Sequence, residues 1–233
     1  MYMTGVDLKT ARLLKGWTQE EASARLGISQ PYLSLLEKES RRVPEKLARK
    51  AVTALRLSPA TLPVEPGWKS VKAEGESVLT ADLAALGYPG FSHVKARRKR
   101  NPAEVLLSAL SARDLNSRLT EALPWVLLKY SDLDWQSLIE EAKVRDLQNK
   151  LGFLISVARK LAEKQGDSGT AELLRGKETL LERSRLLLEG TLCHESLTNA
   201  ERQWLKTARS DEARYWRLLT DLIPEHLNYA TPS

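Results

Sequence analysis

Apolar residues recur three and four apart along almost the whole chain and rarely alternate, which predicts amphipathic helices rather than half-buried strands. Residues 6–15 place Leu8, Ala11 and Leu14 on one face. Ala22 and Leu26 share the next face, and Leu33 and Leu36 the one after it. Residues 44–55 set Leu47, Ala51, Ala54 and Leu55 together, and Ser58-Pro59 opens a short fifth helix that ends near Leu62. Pro63, Pro66, Gly67, Gly75, Gly87, Pro89 and Gly90 then interrupt the pattern, which marks a connector. Within it Thr80 is expected to cap a short helix running to Leu86, and Trp68, Tyr88 and Phe91 give the segment something to pack with.

Helical spacing resumes at Asn101-Pro102, a cap followed by Pro in the first turn, with Val105, Leu106, Ala109 and Leu110 inward. Shorter helices are expected over 114–123 and 124–130. A long one is expected from Asp134, carrying Leu138, Ala142, Leu147, Leu151, Leu154, Ala158 and Leu161, with a bend at Gly152. Residues 166–169 turn the chain into a second long helix over 170–188, where Leu173-Leu174, Leu180-Leu181 and Leu187-Leu188 recur in heptads. The short turn favours an antiparallel hairpin within the chain over a seam between two chains. Thr198 with Glu201 caps a helix carrying Trp204 and Leu205. Ser210 caps the last helix, which offers Trp216, Leu218, Leu219 and Leu222 to the core and ends at Pro224. The predicted fold is all-α. It comprises a five-helix N-terminal domain over 1–64, a Pro/Gly-interrupted and basic-ended connector over 65–100, and a helical bundle over 101–233 for dimerisation or partner binding.

The most informative stretch runs from Thr18 to Glu37. Thr18 and Glu21 form a capping box, Gly27 can take the left-handed conformation that ends a helix, and Ser29 caps a second helix with Pro31 in its first turn. Two short helices joined by a turn containing Gly make a helix-turn-helix. Outward positions of the second helix are Gln30, Pro31, Tyr32, Ser34 and Leu35.

This segment resembles the lambda-repressor/Cro-type helix-turn-helix regulators, the xenobiotic-response-element family of bacteria and phages. The resemblance rests on Leu8, Arg12, Gly16, Thr18-Gln19-Glu20-Glu21, Leu26-Gly27-Ile28-Ser29, Tyr32-Leu33-Ser34, Glu37, Arg41-Arg42, Pro44, Leu47, Ala54-Leu55 and Leu62. It covers about the first quarter of the chain. It departs from the family at Ala22-Ser23, where Leu-Ala is usual, and at Glu39, where Gly is usual. The resemblance implies that the second helix enters the DNA major groove while the first lies across the backbone. Gln30 and Ser34 would then meet bases, Pro31 would sit on the same face, and Gln19, Tyr32, Lys38, Arg41 and Arg42 would mainly meet phosphates. Gln19 would also brace Gln30, and Arg12 with Glu37 would pair as a structural brace.

Charge agrees with this placement. Residues 1–64 hold eleven Lys and Arg against six Asp and Glu, whereas residues 106–233 hold eighteen against nineteen. The positive potential sits with the motif, as binding a polyanion needs. The run 95–100, Lys-Ala-Arg-Arg-Lys-Arg, is a basic arm that either follows a groove or is simply solvated. One cysteine, Cys193, leaves no disulfide framework and no multi-cysteine zinc site. No 18-residue apolar run and no apolar leader are visible, so a cytoplasmic protein without a membrane anchor is expected.

Other chemistry finds little support. Cys193-His194-Glu195 lacks partner ligands at zinc spacing and reads as a turn. The Gly169 to Thr179 stretch has the wrong spacing for a phosphate loop, and paired acids such as Asp132 with Asp134 or Glu140 with Glu141 have no nucleophile near them. No cofactor is implied. The expected function is a sequence-specific regulator that binds double-stranded DNA as a homodimer on an inverted repeat, most simply a repressor. The resemblance extends this to an antitoxin whose helical domain binds a toxin. Alternatives are a phage-type or restriction–modification-type repressor without a toxin partner, and, least supported, an enzyme with a DNA-targeting head.

Overall fold

The computed structural model describes residues 3–62, 64, 75–95 and 99–227. It is all-α, with twelve α-helices among these residues and one pair of two-residue strands. The chain divides into two compact units, Met1–Trp68 and Lys69–Ser233.

The first unit contains α1 (Gly5–Leu14), α2 (Gln19–Leu26), α3 (Gln30–Glu37), α4 (Glu45–Leu55) and a 3-10 turn at Pro59–Thr61. Local signals set each boundary. Thr4 with Asp7 and Thr18 with Glu21 form capping boxes, so α1 and α2 begin with two of their free N–H groups satisfied. Gly27 ends α2 at φ 63°, and a Schellman pair, Ile28 N–H to Ser23 O and Gly27 N–H to Ala24 O, closes the turn. Leu8, Ala22, Leu26, Leu33, Leu36, Ala51 and Leu55 fill the core. A methyl group on Gly5 would overlap the carbonyl of Leu36, so α1 and α3 meet backbone to backbone there. Leu14, expected inward, is 82% exposed, because at about 100° per residue it falls about 120° round the helix from Leu8. Arg12 takes the inward place instead.

The second unit is built around α9 (Gln148–Gln165), which is buried through most of its length. Packed with it are α7 (Ser117–Lys129), α8 (Trp135–Val144), α10 (Ser168–Glu182) and α12 (Asp211–Tyr215); α5 (Glu76–Leu86), α6 (Pro102–Leu110) and α11 (Asn199–Ala208) complete the unit. The α9–α10 hairpin is antiparallel: Arg159 meets Glu178 at 2.8 Å, while Gln148 donates to Ser184 O and Asn149 to Leu186 O.

Several elements differ from the expected ones. The helix expected from Asp134 is two, because Asp146 at φ 57° breaks it; Gly152 is no bend but the floor under the Trp216 ring. Pro124 lies inside α7, so the two short helices expected over 114–130 are one. Helix α10 stops at Glu182 rather than 188, leaving Leu187 and Leu188 77% and 85% exposed. The last helix ends at Tyr215. Arg217 turns at φ 53°, and Leu218–Leu219 (β2) pairs in parallel with Gly190–Thr191 (β1). Trp216, Leu218, Leu219 and Leu222 are buried as expected, but beyond the helix, whereas Trp204 is 57% exposed. In the expected connector, α5 starts at Glu76 after Gly75, so that Thr80 lies inside the helix instead of capping it, and it packs on α6 and α7. Of the basic run, residues 96–98 lie outside the described residues; Lys95 and Lys99 are exposed, and Arg100 pairs with Asp82 at 2.8 Å and reaches Glu104 at 3.7 Å.

Candidate nucleic-acid interface

Helix α3 presents one face to the core and the other to solvent. Leu33, Leu36 and Glu37 are buried. Pro31, Leu35 and Lys38 are exposed and Gln30 and Ser34 half-buried along the outer surface, while Tyr32, also half-buried, flanks it and packs against the core. Arg41 and Arg42 follow on the exposed loop, and the Arg41 guanidinium lies 6.0 Å from the centre of the Tyr32 ring. The side chains nominated from the sequence, Gln19, Gln30, Pro31, Tyr32, Ser34, Lys38, Arg41 and Arg42, all belong to this surface or its immediate support.

Beneath the surface runs a chain of four polar side chains. Arg12 grips Glu37 with two parallel hydrogen bonds, Nε to Oε1 at 2.6 Å and Nη2 to Oε2 at 2.9 Å, and gives Nη1 to the Trp17 carbonyl at 2.8 Å. Gln19 Nε2 donates to Glu37 Oε2 at 2.8 Å, and Gln30 Nε2 donates to Gln19 Oε1 at 2.7 Å. The polarity of this relay is dictated from one end. An ionised carboxylate only accepts, so Gln19 must turn its NH2 toward Glu37, and its carbonyl oxygen then faces Gln30. Gln30 must answer with an N–H. Its own carbonyl oxygen and second N–H are left for the outside, the donor–acceptor pair that complements the N7 and N6 edge of adenine.

Glu37 is ionised by a margin. Burial by itself pushes its carboxyl up, but the hydrogen bonds from Arg12 and Gln19 and the charges of Arg12 and Lys9 outweigh it, leaving the group below the usual glutamate range. The hydrogen bond to Glu37 raises Arg12 in turn, against the opposing effect of burial. Sequence reasoning paired Arg12 with Glu37 and Gln19 with Gln30, but not the Gln19–Glu37 link that makes one relay of the two pairs. Nor did it find the Arg25 guanidinium stacked 4.1 Å from the Trp17 ring, for which the spacing gives no signal.

Glu39, standing where glycine is usual, occupies the left-handed region at φ 57°. A side chain there costs about 1–2 kcal/mol. Glu39→Gly is therefore expected to stabilise the first unit by about 0.5–1 kcal/mol once the greater freedom of glycine in the unfolded chain is subtracted. Slower hydrogen exchange in α1–α3 of the full chain is the readout; unchanged or faster exchange would show the strain to be absent.

The other motifs have structural surroundings. Cys193 is buried at φ 53°, its Sγ 3.3 Å from Ala109 O, and burial pushes the thiol up to about 11, far from a nucleophile's range. Asp134 caps α8, Glu141 pairs with Arg145, and the Gly169 to Thr179 stretch lies within α10. Among the described residues no group of His, Cys, Asp and Glu is arranged to hold a metal, and no helix is long and apolar enough to cross a membrane.

Residues 8–62 match the helix-turn-helix family model, a span that holds most of α1, all of α2 to α4, the glycine turn and the relay. This segment is a DNA-binding helix-turn-helix domain of the lambda-repressor/Cro type. No curated protein and no solved structure matches the chain.

Proposed function

We propose that the helix-turn-helix domain is the operator-reading head of a transcriptional repressor. The supporting observation is the relay from Glu37, which delivers Gln30 in one orientation at the open N-terminal end of α3. In the major groove that end meets base edges, while Lys38, Arg41 and Arg42 meet phosphates. One short helix reads too few bases for genomic specificity, so two copies bind an inverted repeat with half-sites about one helical turn apart. Titration of operator and unrelated duplexes at several salt concentrations tests this. Gln30→Ala should cost about 1–3 kcal/mol and relax preference at one base pair. Arg41→Ala with Arg42→Ala should instead weaken all duplexes alike and flatten the salt dependence. Undiminished discrimination by the Gln30 variant would remove it from the bases.

The second unit takes the role of dimerisation or partner binding. Support comes from Leu187 and Leu188, neighbouring apolar side chains that are 77% and 85% exposed. A toxin neutralised by an antitoxin is one such partner. A phage-type repressor would use the surface for self-association alone.

A further inference from the structure

The solvent face of α3 sorts into two rows, and their chemistry says which bases they suit. Residues four apart stack on a helix surface. Gln30, Ser34 and Lys38 form a polar row, and Pro31 with Leu35 forms an apolar row beside it. Leu35 is 40% exposed although Leu33 and Leu36 on either side are fully buried. A single exposed leucine means little. Here it lies one turn beyond an exposed proline, which itself follows the Gln30 that the Glu37 relay holds.

What the face lacks is equally informative. Guanine is most often read by Arg or Lys, and the cytosine amino group by Glu or Asp. None of these occurs among the outward residues Gln30, Pro31, Tyr32, Ser34 and Leu35; Lys38 stands at the C-terminal cap of the helix, and the Arg41 guanidinium lies over the Tyr32 ring rather than on the Gln30 side. The chemistry present is an amide that fits adenine, a hydroxyl, and an apolar ridge.

Taking this face as the base-reading one, we propose that the half-site is an A·T step: adenine at Gln30, flanked by thymine whose C5-methyl group packs against Pro31 and Leu35. The methyl carries the discrimination, since nothing else on the ridge can read a base. The same C5-methyl chemistry occurs in 5-methylcytosine. The absence of an acidic acceptor for the cytosine amino group favours thymine.

The test is selection of preferred duplexes from a random pool by the full chain, followed by replacement of single thymines with deoxyuridine, which removes the methyl and leaves base pairing intact. The expected result is consecutive A·T pairs at the most constrained positions, with one or two thymines whose replacement weakens binding about four-fold each, the factor for burying one methyl-sized group. Leu35→Ala should weaken binding to that duplex and shrink the uracil penalty, with unchanged hydrogen exchange in α1–α3 showing that the fold is intact. Methylating the cytosines of the pool should leave the preferred sequence unchanged. A selected site with G·C at those positions, no uracil penalty at any thymine, or a preference that moves to 5-methylcytosine would overturn the thymine assignment while leaving base reading intact. A pool that yields no preferred sequence would overturn both.

Discussion

Gly152→Ala is expected to destabilise the second unit by about 2–4 kcal/mol, while Gly176→Ala, on the neighbouring helix, stabilises its unit by about 0.5–1 kcal/mol. Both glycines lie inside helices, where alanine is intrinsically better by up to about 1 kcal/mol, so propensity alone would make both changes favourable. Surroundings decide otherwise. A Cβ on Gly176 meets nothing within 4 Å, whereas one on Gly152 would penetrate the six-membered ring of Trp216 at Cη2, Cζ3 and Cζ2. That ring is fully buried, and its Nε1 donates to Ser156 Oγ at 2.7 Å one turn further along α9. It cannot move without losing both packing and a hydrogen bond. Expelling a buried tryptophan forfeits about 3–5 kcal/mol, from which the helix gain is subtracted. Urea unfolding of the two variants should move their midpoints in opposite directions. A shift in the same direction would mean that Trp216 does not seal α9.

Gly152 also shows why some of this chain is legible and some is not. A glycine within a leucine-periodic stretch reads as a bend because propensity is local information, and the ring that requires it arrives from residue 216. The first unit is legible because its punctuation is short-range: Thr18 with Glu21, Gly27 in the turn, Ser29 and Pro31 each act within four residues. The errors cluster where a distant partner competes with periodicity. The heptads through Leu188 look continuous, but Asn149 Nδ2 captures the Leu186 carbonyl and Asn149 Oδ1 its N–H, so the backbone beyond Glu182 is held by a side chain of α9 instead of its own helix. Leu218 and Leu219 have helical spacing with Leu222, yet they pair as a strand with Gly190 and Thr191, 28 residues earlier. The breaks at Asp146 and Arg217 use left-handed backbone without glycine, so composition gives no warning. At the candidate interface the outward residues follow from counting along α3. The orientation of Gln30 does not, because it depends on a carboxylate seven residues away through an intermediary on another helix.

Glu37→Ala is expected to cost the first unit about 3–5 kcal/mol, because it leaves the Arg12 guanidinium buried without its anion. A unit of this size has a total stability of only about 3–9 kcal/mol, so much of the domain would be unfolded at physiological temperature. Glu37→Gln separates charge from shape. It retains one acceptor for Arg12 and should cost less, but its amide no longer forces Gln19 to donate, so Gln19 and Gln30 can each present either end. Discrimination between A·T and G·C at the Gln30 position should then fall more than overall affinity. The pH dependence carries the same signature. In the folded chain Glu37 lies below its ordinary value of 4.5, so the unfolded chain binds more protons between the two values. The pair's contribution is therefore complete above about pH 4.5 and lost as pH falls through the lower, folded value. Glu21, also lowered, by the backbone and side-chain hydrogen bonds of Thr18, adds a slope of the same sign. Hydrogen exchange of α1–α3 between pH 6 and pH 3 should show a steep loss of protection in the parent chain and a shallower one in Glu37→Gln. Equal slopes would mean that the carboxylate is not the charge that orders the relay, and that the orientation of Gln30 has another source.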